Sequence, residues 1–280
     1  MQPTTIPALL QRYDVFFLDA YGVLVQSSGP LPGAAAFLTR LRDAGKTVLL
    51  LSNDASRAPD TTLHRYQGFG LPITREQILT SGMLLVDHYA AHGLQGAATI
   101  VLGTEDSQRY VRDAGGRVVA ADDESAAVVM IGDDDGYEFL ETVNQTITVL
   151  LNRLDRGQST HLVSPNPDLI FPRRPGAYGV TSGAIVPMIE AVLRLRDPSG
   201  QLRFHQLGKP FAPMFEAAVR RVPQHDRSRI VMVGDQMLTD IKGAADFGLD
   251  SVFVESGIGR RADCDVHGVD PTWVMASVVE

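Results

Sequence analysis

Short apolar runs alternate along the chain with stretches whose apolar positions recur every three to four residues. That alternation predicts a parallel sheet covered by helices. Residues 14–18 read as a first buried strand, 33–44 as a helix and 47–51 as a second strand. Residues 229–233 and 250–254 read as later strands, with a helix over 239–247 between them. Runs such as Ile230-Val231-Met232-Val233 carry no polar alternation, which suits strands buried on both faces. The expected fold class is therefore α/β, with a Rossmann-like parallel sheet at its core.

The middle of the chain departs from this rhythm. From Asn53 to Lys209 the stretch is far longer than the roughly 30 residues of one βαβ unit. It holds its own strand candidates at 98–102 and 126–131, and helical patterns at 75–92 and 136–155. The simplest account is an inserted αβ domain over 82–179, dividing a core into 1–81 and 180–280. Pro165, Pro167, Pro172 and Pro175 would mark its exit. No internal repeat or low-complexity tract interrupts the chain.

Composition narrows the partners. The formal charge of −8 disfavours nucleic acid or an anionic membrane, although it leaves a small anionic substrate open, since one cation can decide that locally. No apolar run approaches membrane-spanning length, and the N-terminus, without a basic residue before Arg12, does not read as a signal peptide. The one cysteine, Cys264, excludes an internal disulfide and fits a reducing cytoplasm. Lysines occur only at 46, 209 and 242, so a lysine inside a motif stands out.

In open α/β sheets, ligands bind beyond the carboxyl ends of the strands. Each predicted core strand is followed there by a group with chemical use. Asp19-Ala20-Tyr21-Gly22 follows the first and Ser52-Asn53-Asp54 the second. Gly208-Lys209-Pro210 precedes a helix, and Gly234-Asp235 follows 229–233 with Thr239-Asp240 close behind. Taken in order, these four motifs resemble the haloacid-dehalogenase superfamily, most of whose members are phosphatases. The insertion between the second and third motifs resembles the C2-type cap of subclass IIA, the NagD-like group that includes sugar- and nucleotide-phosphate phosphatases. Gly136-Tyr137-Glu138-Phe139, Asn166-Pro167-Asp168 and Thr181-Ser182-Gly183-Ala184 resemble that subclass too.

The resemblance implies a hydrolase of phosphoric monoesters working on a small phosphorylated substrate. Asp19 would attack phosphorus and form an aspartyl-phosphate that water then hydrolyses, splitting one hard step into two. Mg²⁺ would take the Asp19 carboxylate, the backbone carbonyl of Tyr21 and Asp235, with Asp240 supporting its water shell or orienting Lys209. Ser52 and Asn53 would hydrogen-bond phosphoryl oxygens, and Lys209 would offset negative charge on Asp19 and the phosphoryl group. Asp168, near the expected cap exit, is a candidate for substrate contact. The subclass also implies a homodimer through the cap.

One position breaks the family pattern. Phosphatases of the superfamily usually carry a second Asp two residues after the nucleophile, as general acid and base, and this chain has Tyr21 there. Asp-Ala-Tyr-Gly also resembles the first motif of the dehalogenases, whose halide displacement needs no acid and no metal. Against that reading stand Asp235 together with Asp240, and the absence of room for a cap between the first two motifs. A catalytically weak phospho-ligand binding protein is the third reading. Elsewhere, His88 and His92 lie four apart with no third ligand in evidence, so they read as surface or packing residues. Asp133-Asp134-Asp135 reads as a turn capping the helix after it, and Arg57, Arg173 and Arg174 as solvated side chains.

Overall fold

The computed structural model describes residues 2–174 and 176–279, so Pro175 of the expected exit lies outside the described residues. Seven strands form the larger sheet, in the order Gln2–Pro3, Trp273–Met275, Asp250–Val254, Ile230–Gly234, Val15–Leu18, Thr47–Ser52 and Ile78–Thr80. Every pairing between neighbours is parallel. Side chains alternate between the faces: Val15 and Phe17 join one apolar cluster while Phe16 and Leu18 join another. Both faces are thus filled, which is why these strands are continuously apolar.

The expected strands all form, within two residues at each end. From Leu18 the chain crosses to Thr47–Ser52 on one side, while Ile230–Gly234 lies on the other. The carboxyl end of Val15–Leu18 is therefore a switch point, where a crevice opens between diverging connections.

A second sheet of five strands, His205–Gln206, His161–Ser164, Val128–Ile131, Ala98–Leu102 and Arg117–Val119, is likewise all parallel. Its strands run from Ala98 to Gln206, past the exit expected at Gly179. Helix Ser182–Leu193 packs Ile185, Val186 and Ile189 against Ile100, Val129 and Leu162 of this sheet, beside Val143 and Leu150 of helix Phe139–Asp155. The opposite face presents Val101, Val128, Met130 and Val163 to Leu84, Leu85 and Tyr89, and these belong to the same cluster as Val15 and Phe17 of the larger sheet. One apolar seam therefore joins the two sheets.

The helix expected over 75–92 is broken. Ile78–Thr80 pairs with Leu50–Ser52 as the last strand of the larger sheet, and only Leu85–His92 is α-helical. Burial of Ile78 and Leu79 on a sheet edge outweighs the helical periodicity read from the segment. The helix expected over 239–247 starts as a π-helical turn, Met237–Ile241, before the α-helix Lys242–Asp246. No helix among the described residues is long and apolar enough to cross a membrane.

Candidate active site

Asp19 leaves its strand with its backbone N–H donating to the Val233 carbonyl at 2.9 Å. Its side chain is buried, and Lys209 Nζ donates to Asp19 Oδ1 at 2.5 Å and to the Leu51 carbonyl at 2.9 Å. The same ammonium lies 2.8 Å from Asp240 Oδ1. Burial works against the charge on Lys209, but Asp19 and then Asp240 outweigh it and hold the ammonium above the usual lysine range. Burial pushes the Asp19 carboxyl up, with Lys209 pulling the other way.

Asp235 completes the carboxylate group. Asp19, Asp235 and Asp240 each offer an oxygen within 4.8 Å of the others. Asp235 Oδ2 accepts from the Ile258 N–H at 2.8 Å, whereas Oδ1 is buried without a hydrogen-bond partner. Burial, then Asp19 and Asp240, push Asp235 well above the ordinary carboxylate range. Backbone crowds in on it: Gly22, at φ +78°, comes so close that a Cβ would run into the Asp235 carboxylate. A buried oxygen without a partner among three carboxylates and one lysine fits a hard divalent cation such as Mg²⁺.

Asn53 is placed differently from the expectation of a direct phosphate ligand. Its Nδ2 donates to Asp168 Oδ1 at 2.8 Å and to the Lys209 carbonyl at 2.9 Å, while its Oδ1 accepts from the Lys209 N–H at 2.7 Å. Both amide protons are thereby committed, and the side chain ties three loops together. Ser52 Oγ accepts from the Asp54 N–H at 3.2 Å and keeps its own proton to donate.

Asp168 sits in a loop built for it. Its N–H donates to Asn166 Oδ1 at 3.0 Å, and Asn166 Nδ2 donates to Thr181 Oγ1 at 3.2 Å. Gly183, opening the next helix, lies so near the Pro167 and Asp168 carbonyls that a side chain there would collide with them. Burial pushes the Asp168 carboxyl up to about 6, against Lys209 and the bond from Asn53.

Tyr21 lines the same cavity. Its phenolic oxygen accepts from Arg65 at 2.7 Å, so the phenol proton remains free to be given away. The cavity has a volume of about 670 Å³, with Asp19, Ser52 and Asp168 on its walls. Asp133, Asp134 and Asp135 line it too, instead of capping a helix: helix Phe139–Asp155 starts from Glu138, without a side-chain cap. Their signal was present in the sequence, because they follow a strand of the second sheet just as Asp19 follows one of the first. Arg57 faces the cavity, paired with Asp54 at 2.9 Å, and Arg173 joins it from the hairpin Ile170–Arg174 and Ala177–Val180. Arg65, far from any motif, is a partner that sequence gave no reason to single out.

Comparison with known proteins agrees with this geometry. Residues 16–117 match the family described as haloacid dehalogenase-like hydrolase, and residues 206–280 match a second model described as HAD-hydrolase-like. A dihydroxyacetone phosphatase of Corynebacterium glutamicum is 27% identical over 95% of this chain and 89% of its own length. An acid sugar phosphatase of Staphylococcus aureus is 24% identical over 97% of both chains. The crystal structure of a possible sugar phosphatase from Cytophaga hutchinsonii superposes with a TM-score of 0.88 at 30% identity, covering 100% of this chain and 99% of that one.

Proposed function

The chain belongs to the haloacid dehalogenase-like hydrolases, and from that premise we propose that it hydrolyses small phosphomonoesters, sugar phosphates foremost, through an aspartyl-phosphate on Asp19. The observation that carries the reading is Lys209, buried between Asp19 at 2.5 Å and Asp240 at 2.8 Å, beside the unpartnered Oδ1 of Asp235.

Asp19 attacks phosphorus and the ester oxygen departs with a proton. Water then attacks the aspartyl-phosphate, releasing inorganic phosphate and restoring Asp19. Lys209 keeps Asp19 oriented and offsets charge gathering on the phosphoryl oxygens, and Ser52 donates its hydroxyl proton to one of them. Asp19, Asp235 and the Tyr21 carbonyl would hold Mg²⁺, with Asp240 positioning Lys209. Bound there, the cation would neutralise phosphoryl charge and draw substrate into a cavity lined by carboxylates.

The proton traffic differs from the family pattern. Tyr21 occupies the position of the usual second Asp and can supply a proton to the leaving oxygen. A phenol is a weak acid and a poor base at neutral pH. We assign the proton of the attacking water to Asp168, tied to the core through Asn53, and exchange with solvent moves that proton off Asp168 and returns one to Tyr21 before the next turnover.

The five-stranded unit acts as the cap that selects substrate, with Asp133–Asp135 and the 170–180 hairpin as its contact surfaces. Exposed Leu169 and Tyr178, beside and on that hairpin and off the cavity wall, support pairing of two copies through the cap. A panel of sugar, nucleotide and aryl phosphates, assayed with Mg²⁺ and with chelator, tests the reading. Phosphate release that needs Mg²⁺ is expected. Release of halide from haloacids in chelator, with no phosphate ester turned over, would overturn it.

A further inference from the structure

Four of the chain's seven histidines, His88, His92, His161 and His205, meet at one place away from the carboxylates. His88 and His92 stand one turn apart at the end of helix Leu85–His92, and His161 and His205 open neighbouring parallel strands of the second sheet. Ring centroids lie between 4.3 and 5.4 Å apart throughout the group. His161 and His205 are stacked, with 8° between their planes.

The nitrogens converge as well. His88, His92 and His161 each offer a ring nitrogen within 4.8 Å of the other two. Tetrahedral zinc with Zn–N bonds near 2.0–2.1 Å sets its nitrogens about 3.3 Å apart, so modest ring rotations suffice. One nitrogen of His92 is already occupied: Nδ1 donates to the His88 carbonyl at 2.9 Å, which leaves Nε2 as the ring nitrogen a metal could take. That outer bond is the arrangement in which histidine ligates metals.

We propose that His88, His92 and His161 form a binding site for a divalent transition-metal ion of the zinc class, with His205 covering its fourth position. The ligand chemistry separates it from the carboxylate site, because imidazoles select zinc, cobalt, nickel or copper over magnesium. The ion would clamp the helix that leaves the larger sheet onto the edge of the second sheet. The clamp sits at the amino ends of the strands, away from Asp168 and Lys209, so its role is structural.

Co²⁺ serves as the probe, titrated into metal-stripped full-length protein in excess Mg²⁺. Tetrahedral nitrogen coordination gives Co²⁺ an intense visible absorption that octahedral oxygen coordination does not. One equivalent with that absorption is expected, kept in Asp235→Asn and weakened at least tenfold in His92→Ala and His161→Ala. His92 is exposed, so its removal leaves the fold intact and decides the matter should His161→Ala fold poorly. Zn²⁺ should raise the Tm of the wild type and not of His92→Ala. No intense absorption, or absorption that survives in His92→Ala and vanishes in Asp235→Asn, would show that the four rings form only a hydrogen-bonded and stacked cluster like the 2.8 Å His88–His161 contact.

Discussion

Asn53 and Asp168 lie in loops beyond strands of different sheets, and one 2.8 Å hydrogen bond from Nδ2 to Oδ1 joins them. The same amide exchanges bonds with the backbone of Lys209, so a single side chain sets the spacing between its own loop, the Lys209 loop and the Asp168 loop. Asn53→Ala should therefore lower kcat on the order of 10²-fold, the cost of a misplacement near 1 Å. Asn53→Asp should do at least as much harm, since it removes the donor and sets a second carboxylate against Asp168. Steady-state kinetics on one sugar phosphate checks both, and wild-type kcat in either would refute the positioning role.

Lys209 balances carboxylates that would otherwise share one buried pocket. Lys209→Met should abolish measurable turnover and cost about 3–5 kcal/mol of stability, as for other buried pairs that lose one partner. If the acidic pocket takes Mg²⁺, adding it should recover part of that loss in urea unfolding. An equal midpoint with and without Mg²⁺ would count against the metal assignment.

Much of this site was legible because strand-end chemistry is local. Asp19, Ser52 and Asp235 each sit at or just beyond the end of an apolar run, so reading the run locates the residue, while Lys209 stands out as one of three lysines just before a helix. Asp240 came with Asp235 through the short turn between them. What was not legible depends on distance in the chain. His161 and His205 meet His88 only once the second sheet has formed, so the pair at 88 and 92 had no visible third ligand. Ile78–Thr80 reads as helix because its local periodicity is helical, and only the partner strand at 47–52 makes it extended. Asn53 lies in the strand-end loop, but its partners Asp168 and Lys209 follow from packing and not from motif.

Tyr21→Asp should raise turnover of alkyl and sugar phosphates by up to about 10²-fold, because a carboxylate would then serve both proton transfers. In the wild type, aryl phosphates should outpace sugar phosphates, as their leaving groups need little protonation. Comparing kcat for both substrates in both proteins checks this. Equal rates for the two substrates in wild type, with no gain in the variant, would show that another residue already supplies the proton.

Asp168 gives a signature in pH. Its carboxyl is raised in the folded state to about 6, chiefly by burial, against about 3.9 when unfolded. The stability it contributes is thus full below pH 4 and lost as pH rises through 6. Asp168→Asn should flatten urea midpoints across that window. The same variant should lose the acidic limb of kcat, which in wild type falls as Asp168 takes up a proton below about pH 6. An acidic limb unchanged in Asp168→Asn would remove it from the proton path.

The apolar seam through Val15, Leu85, Met130 and Phe215 bears on how the molecule comes apart. Neither sheet owns that cluster, so melting one strips packing from the other. The chain should unfold in a single cooperative transition, with no stage at which a folded cap stands on a molten core. An excised cap would carry the seam as bare apolar surface, and self-association would be its readiest way to hide it. For this chain the insertion is a domain by its sheet and a subdomain by its energetics.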